Sequence, residues 1–148
     1  MIRFENSVTV DRDPTIVFNF VVNFETLPKY DRYVISAQKT STGPIGVGST
    51  WTHIRTQGPQ KIVAPITLTE FDPPRRFVME SGSGGFEVRS TMTFEPSGDG
   101  VTKVTEVLEM KTKGLTRLFE PMIKRQVPKQ GSEVHDRLKE VIEALPTS

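Results

Sequence analysis

The run FEVRSTMTFEPSGDGVTKVTEVLEMKT, Phe86–Thr112, alternates apolar and polar residues almost throughout. Phe86, Val88, Met92 and Phe94 share one face of its first half, and Glu87, Arg89, Thr91, Thr93 and Glu95 share the other. In its second half Val104, Leu108 and Met110 oppose Lys103, Thr105, Glu109 and Lys111. Successive side chains of a strand point to opposite faces, so a period of two predicts two half-buried strands. The Asp99-Gly100 pair between them is a hairpin signal. One dry face and one wet face belong to an antiparallel sheet.

The same pattern extends upstream to Tyr33, broken by Gly43-Pro44-Ile45-Gly46-Val47-Gly48, Gly58-Pro59, Asp72-Pro73-Pro74 and Gly82-Ser83-Gly84-Gly85. Prolines donate no ladder hydrogen bond, so EFDPPRRF (Glu70–Phe77) reads as a corner that Arg75 and Arg76 pin through Asp72 or Glu70. Before the meander, Phe4, Val8 and Val10 predict a strand over 2–10. Asp13-Pro14 then starts a short helix running to Val22, and a second piece from Phe24 to Tyr30 is broken by Pro28. After the meander the period changes. Leu115, Leu118, Phe119, Met122, Val134, Leu138, Val141 and Leu145 recur at helical spacing, with a bend expected near Pro128.

The 148 residues suit one domain, 1–148, and carry a formal net charge of only +1, so bulk charge points to neither nucleic acid nor an anionic membrane. With no cysteine, disulfides, thiolate nucleophiles and Cys-based metal sites are excluded. The two histidines, His53 and His135, stand far apart without a metal-binding frame, and no cofactor or metal is expected. No apolar run is long enough for a stable membrane insertion, and MIRFENSVTV lacks the h-region of a signal peptide, so a cytoplasmic protein is expected. The loop GPIGVG lacks the Gly-Lys-Ser/Thr ending of a phosphate loop and reads as a flap near a cavity mouth.

Strand, two short helices, long meander and C-terminal helix: in this order the chain resembles the START/Bet v 1-like (SRPBCC) superfamily, in particular its polyketide cyclase/dehydrase-like branch. The resemblance is carried by Pro14-x-x-Val17-Phe18, Phe24-Glu25-x-Leu27-Pro28-x-Tyr30, Gly46-Val47-Gly48-Ser49-x-Trp51, Glu70–Phe77 and Leu138-Lys139-x-x-Ile142-Glu143. It implies an α+β helix-grip fold, in which a curved antiparallel sheet of about seven strands wraps a long C-terminal helix over an apolar cavity. The residues agree, because an apolar sheet face needs a cover and one helix covers only part of it.

Trp51, His53 and Arg55 share a strand face, and the bulk of Trp51 turns that face inward. His53 is thereby a candidate proton carrier, or else a core-edge histidine satisfied by a backbone carbonyl. Glu106 shares the apolar side of its strand with Val104, Leu108 and Met110, where a carboxylate must be paired, wet or shifted in pKa. Ser90, between Val88 and Met92, offers a hydroxyl to the same space. Met79, Met92, Met110 and Met122 fall on expected inward faces, and adaptable thioethers suit a hydrophobic pocket. With Phe86 and Phe119 they complete the expected lining. Three functions compete: a binder of a small hydrophobic molecule (lipid, polyketide, quinone or isoprenoid-like), a polyketide cyclase/dehydrase-like enzyme using His53 and Glu106 as acid and base, and a protein- or ribosome-interaction module presenting either the exposed sheet face or a basic patch at Arg117, Lys124 and Arg125.

Overall fold

The computed structural model describes residues 1–146. Seven strands form one antiparallel sheet: β1 (Ile2–Val10), β2 (Val34–Lys39), β3 (Thr50–Gln57), β4 (Gln60–Asp72), β5 (Arg76–Ser83), β6 (Phe86–Pro96) and β7 (Thr102–Thr112). Their spatial order is β1-β7-β6-β5-β4-β3-β2. Thus β2 to β7 form an uninterrupted meander, and β1 closes onto β7 with Ile2 opposite Met110 and Val10 opposite Thr102. Helix α1 (Pro14–Val22) and a 3-10 turn (Phe24–Lys29) link β1 to β2; a second 3-10 turn (Gly114–Phe119) leads into the long helix α2 (Glu120–Glu143). The α+β helix-grip architecture that the resemblance implies is present.

Local chemistry explains most boundaries. Asp13 sits at the N-cap of α1 and Pro14 opens it, although the cap is made by the Asp13 carbonyl receiving Val17 N–H (3.1 Å) and not by the carboxylate. EFDPPRRF is the β4–β5 corner. Arg75 grips Asp72 (2.8 and 3.1 Å), Arg76 grips Glu70, and Glu70 also accepts from Arg89 of β6 (3.0 Å). The loop Gly43–Gly48 is tied down, with Gly48 N–H donating to Leu68 O (2.8 Å) and Ile45 packed on the core. It therefore borders the filled end of the fold.

The tail helix is not broken at Pro128: α2 runs continuously through it for 24 residues. Proline forfeits one hydrogen bond, to the Lys124 carbonyl. Packing against the sheet holds the remaining turns. The C-terminal half of α2 is strapped to β1 and its exit: Lys139 Nζ donates to Thr9 O (2.8 Å), and Glu143 accepts from Asp11 N–H (2.8 Å). Gly131 passes so close to β1 that an added Cβ would lie 2.5 Å from Asn6 Nδ2.

The core fills one end of the grip. Phe18 of α1 sits edge-on to Phe77 (5.8 Å) and Phe94 (5.2 Å), and Phe24 meets Trp51 at 4.7 Å. Such ring pairs add roughly 0.5–1.5 kcal/mol each beyond area burial. Val10, Val17, Leu68, Val104, Leu138 and Ile142 complete this end and are 0–1 % exposed.

Candidate functional site

The inner face changes character along the strands. On β6 it runs Phe94 and Met92 (buried), Ser90 (buried), then Val88 and Phe86 (half-buried). On β7 it runs Val104 (buried), then Glu106, Leu108 and Met110 (half-buried). Met79 on β5 and Phe4 on β1 are half-buried as well. Between Ile123 and His135, no residue of α2 among those described is fully buried, although Val127, Pro128, Gln130 and Gly131 are partly so. The stretch of inner face bearing Phe86, Val88, Leu108 and Met110, hereafter the trough, is therefore apolar and only partly covered. Trp51 and Met92, two of the expected lining residues, belong to the solid core instead. Phe119 and Met122, also expected to face the sheet, are 49 % and 40 % exposed.

A polar cluster lies where core gives way to trough. Met92 pairs with Glu106 and Ser90 with Leu108, which puts the two polar side chains diagonally adjacent on the inner face. Ser90 Oγ donates to Glu106 Oε2 (2.6 Å), and His135 Nε2 of α2 reaches Glu106 Oε1 (3.0 Å). The carboxylate accepts, so the imidazole carries its proton on Nε2. The other ring nitrogen, Nδ1, is buried and has no hydrogen-bond partner among the described residues. Burial pushes the Glu106 carboxyl up. The hydrogen bond and charge of His135, then Ser90, then the more distant Arg55, outweigh it and hold Glu106 below its usual range.

Further groups feel the same field. Arg55 lies 3.7 Å from Asp31. Burial raises the Asp31 carboxyl despite that guanidinium, and burial with the charges of Asp31 and Glu106 raises the Tyr30 phenol. Tyr30 also floors a groove of about 720 Å³ against α2, but charged side chains such as Arg32, Glu133 and Arg137 dominate its walls. This groove suits solvent better than an apolar guest.

His53 points inward and is 6 % exposed, with Nδ1 3.1 Å from Ala64 O. Burial and the neighbouring Arg55 lower its pKa and keep it neutral. Its nearest polar partner is thus a backbone carbonyl, while Ser90 and Glu106 are joined to each other. His135 did not stand out in the sequence, yet the signal was there. It precedes Leu138 and Ile142 by three and seven positions, which places it on their helical face. Among the described residues, no three His, Asp or Glu side chains gather as metal ligands would.

The sequence model of the family described as polyketide cyclase/dehydrase and lipid transport matches residues 1–143. The chain belongs to that family. Comparison with curated proteins gave no match. Among solved structures, a START superfamily protein from Mycobacterium smegmatis superposes with a TM-score of 0.82 at 15 % identity, covering 97 % of this chain and 99 % of that one. A protein from Thermus thermophilus gives 0.81 at 18 % identity over 97 % and 98 % of the two chains. The Zhui aromatase/cyclase from Streptomyces sp. R1128 gives 0.81 at 9 % identity over 96 % and 93 %. At such identities these likenesses establish the fold. What this member of the cyclase/dehydrase and lipid-transport family does with it must come from its own side chains.

Proposed function

We propose that the protein binds a small, mainly apolar molecule bearing at least one hydroxyl or carbonyl group, held in the trough between the sheet and α2. The observation that carries this reading is the position of Ser90–Glu106–His135 at the inner end of an apolar, half-covered surface. Apolar walls supply affinity at roughly 25 cal/mol per Å² of surface removed from water. A small number of polar groups sets orientation. A buried polar atom without a partner is costly, and His135 Nδ1 is such an atom. A guest hydroxyl or carbonyl hydrogen-bonded to it removes that cost. Native mass spectrometry of the purified protein tests the reading: an organic molecule retained by the wild type and lost on denaturation supports it. Absence of such a molecule, with no uptake of added fatty acid or hydroxylated anthraquinone, speaks against it.

A second reading is favoured by the hydroxyl–carboxylate–imidazole chain itself. Glu106, ionised and bonded to His135, is equipped to take a proton from an enolisable carbon while the imidazole buffers the charge. Folding a flexible chain against the trough would supply the proximity that cyclisation needs. Under this reading Glu106→Gln abolishes turnover of a polyketide-like substrate and leaves its affinity within a few-fold. His53, satisfied by a carbonyl, has the lesser role in it.

A further inference from the structure

Large apolar side chains on the surface of this protein are mostly isolated, as with Ile16, Ile35 and Val63, but one segment gathers four. Leu115, Leu118, Phe119 and Met122 are 82 %, 76 %, 49 % and 40 % exposed. Their spacing of three, one and three residues puts them along one side of the 3-10 turn and the start of α2. A monomeric protein seldom leaves such a stripe bare without a purpose.

The charge around the stripe is as uneven as its polarity. Residues 111–125 hold Lys111, Lys113, Arg117, Lys124 and Arg125 against one carboxylate, Glu120. The rest of the chain then holds fourteen cations against seventeen carboxylates, so the balanced total conceals one basic segment. Glu120 is engaged by Thr112 (2.6 Å), and Lys113 is held by Glu87 (2.9 Å). Arg117, Lys124 and Arg125 form no ion pair among the described residues. Long cationic side chains beside bare leucines and a phenylalanine fit a partner that is anionic at its surface and apolar a few ångströms deeper.

We propose that this segment docks the protein reversibly on an anionic lipid bilayer, with Leu115, Leu118 and Phe119 entering the headgroup boundary and Arg117, Lys124 and Arg125 resting on lipid phosphates. The turn is built to hold that pose. Thr116 Oγ1 donates either to Gly85 O (3.2 Å) or to Lys113 O, and Lys113 N–H donates to Gly85 O (3.0 Å), fastening the segment to the β5–β6 hairpin. That hairpin is the half-covered end of the trough, since Phe86 lies opposite Thr112 there. Docking would bring the mouth of the trough to the bilayer. The inference stands on exposure and charge alone and does not require the ligand reading to hold.

Flotation of the full chain with phosphatidylcholine vesicles, with and without added phosphatidylglycerol, tests it. The wild type should float with the anionic vesicles and leave the zwitterionic ones, and added salt should weaken binding. Lys124→Glu with Arg125→Glu should lower the vesicle partition by about tenfold or more. Leu115→Ser with Leu118→Ser should lower it comparably, and both pairs should retain the wild-type circular dichroism because the sites are exposed. Val63→Ser, at an exposed apolar site elsewhere, should change nothing. Equal flotation with both vesicle types, or binding unaltered by both double variants, would overturn the proposal. So would a dimer in sedimentation equilibrium that Leu115→Ser with Leu118→Ser dissociates, since the stripe would then belong to a second copy.

Discussion

At the scale of single residues, the Glu106–His135 pair governs behaviour, and pH reaches it directly. The folded chain holds the Glu106 carboxyl below its ordinary value of 4.5. A depressed carboxyl stabilises the fold fully above that ordinary value, and the contribution is lost as pH falls through the depressed one. Wild type should therefore exceed Glu106→Gln in stability near neutral pH, with the gap closing below pH 4.5 in urea titrations; a gap unchanged by acid would separate Glu106 from this linkage. His135→Ala leaves the half-buried Glu106 carboxylate without one of its two hydrogen-bond donors and should cost about 1–3 kcal/mol near neutral pH, falling well below that in the Glu106→Gln background. His53 is lowered by burial, so its neutral form contributes stability that is lost as pH drops below its ordinary 6.5. Ser90 and Glu106 were legible as inward polar residues from alternation alone. Their partner was not, because which helical residue meets which strand residue depends on how α2 is docked, and no local period encodes that.

At the scale of elements, α2 sets the width of the trough. Its close approach to β1 at Gly131 and its ties at Thr9 and Asp11 fix one flank. Glycine costs a helix about 1 kcal/mol relative to alanine. Gly131→Ala should return less than that gain, since the new methyl must displace the Asn6 amide, while the full gain should appear in an Asn6→Ala background. Chemical denaturation of the four proteins measures this, and equal gains in both backgrounds would mean the contact is slack. The strands were readable because a one-sided sheet writes its faces into the sequence. EFDPPRRF was readable as a corner for the same reason that it cannot be a strand. Whether Pro128 bends or breaks α2 was not legible, because an interior proline signals a lost hydrogen bond but not the packing at Ile123, His135 and Leu138 that holds the turns on either side. Phe119 and Met122 repeat at helical spacing like core residues, yet periodicity says only that residues share a face. It does not say whether that face meets protein or solvent.

At the scale of the whole molecule, the inner face is divided into a packed aromatic end and an apolar trough, with three polar groups at the border. That division follows from where α1 lies: Phe18 and its neighbours fill the end carrying Phe77 and Phe94, and among the described residues no equivalent element fills the end carrying Phe86, Val88 and Met110. The family's architecture was evident from element order, whereas the extent of open space was not, since it depends on the stand-off of α2. The methionines supply probes for this account. Met79 and Met110 are half-buried on the inner face, whereas Met1 is 74 % exposed and borders the outer face of the sheet. Methyl NMR of the methionines during titration with lauric acid, below its micellar concentration, and with a hydroxylated anthraquinone tests the central claim most directly. Saturable shifts at Met79 and Met110, with Met1 unmoved, are the predicted result. Shifts confined to Met1, or none at any methionine, would contradict it.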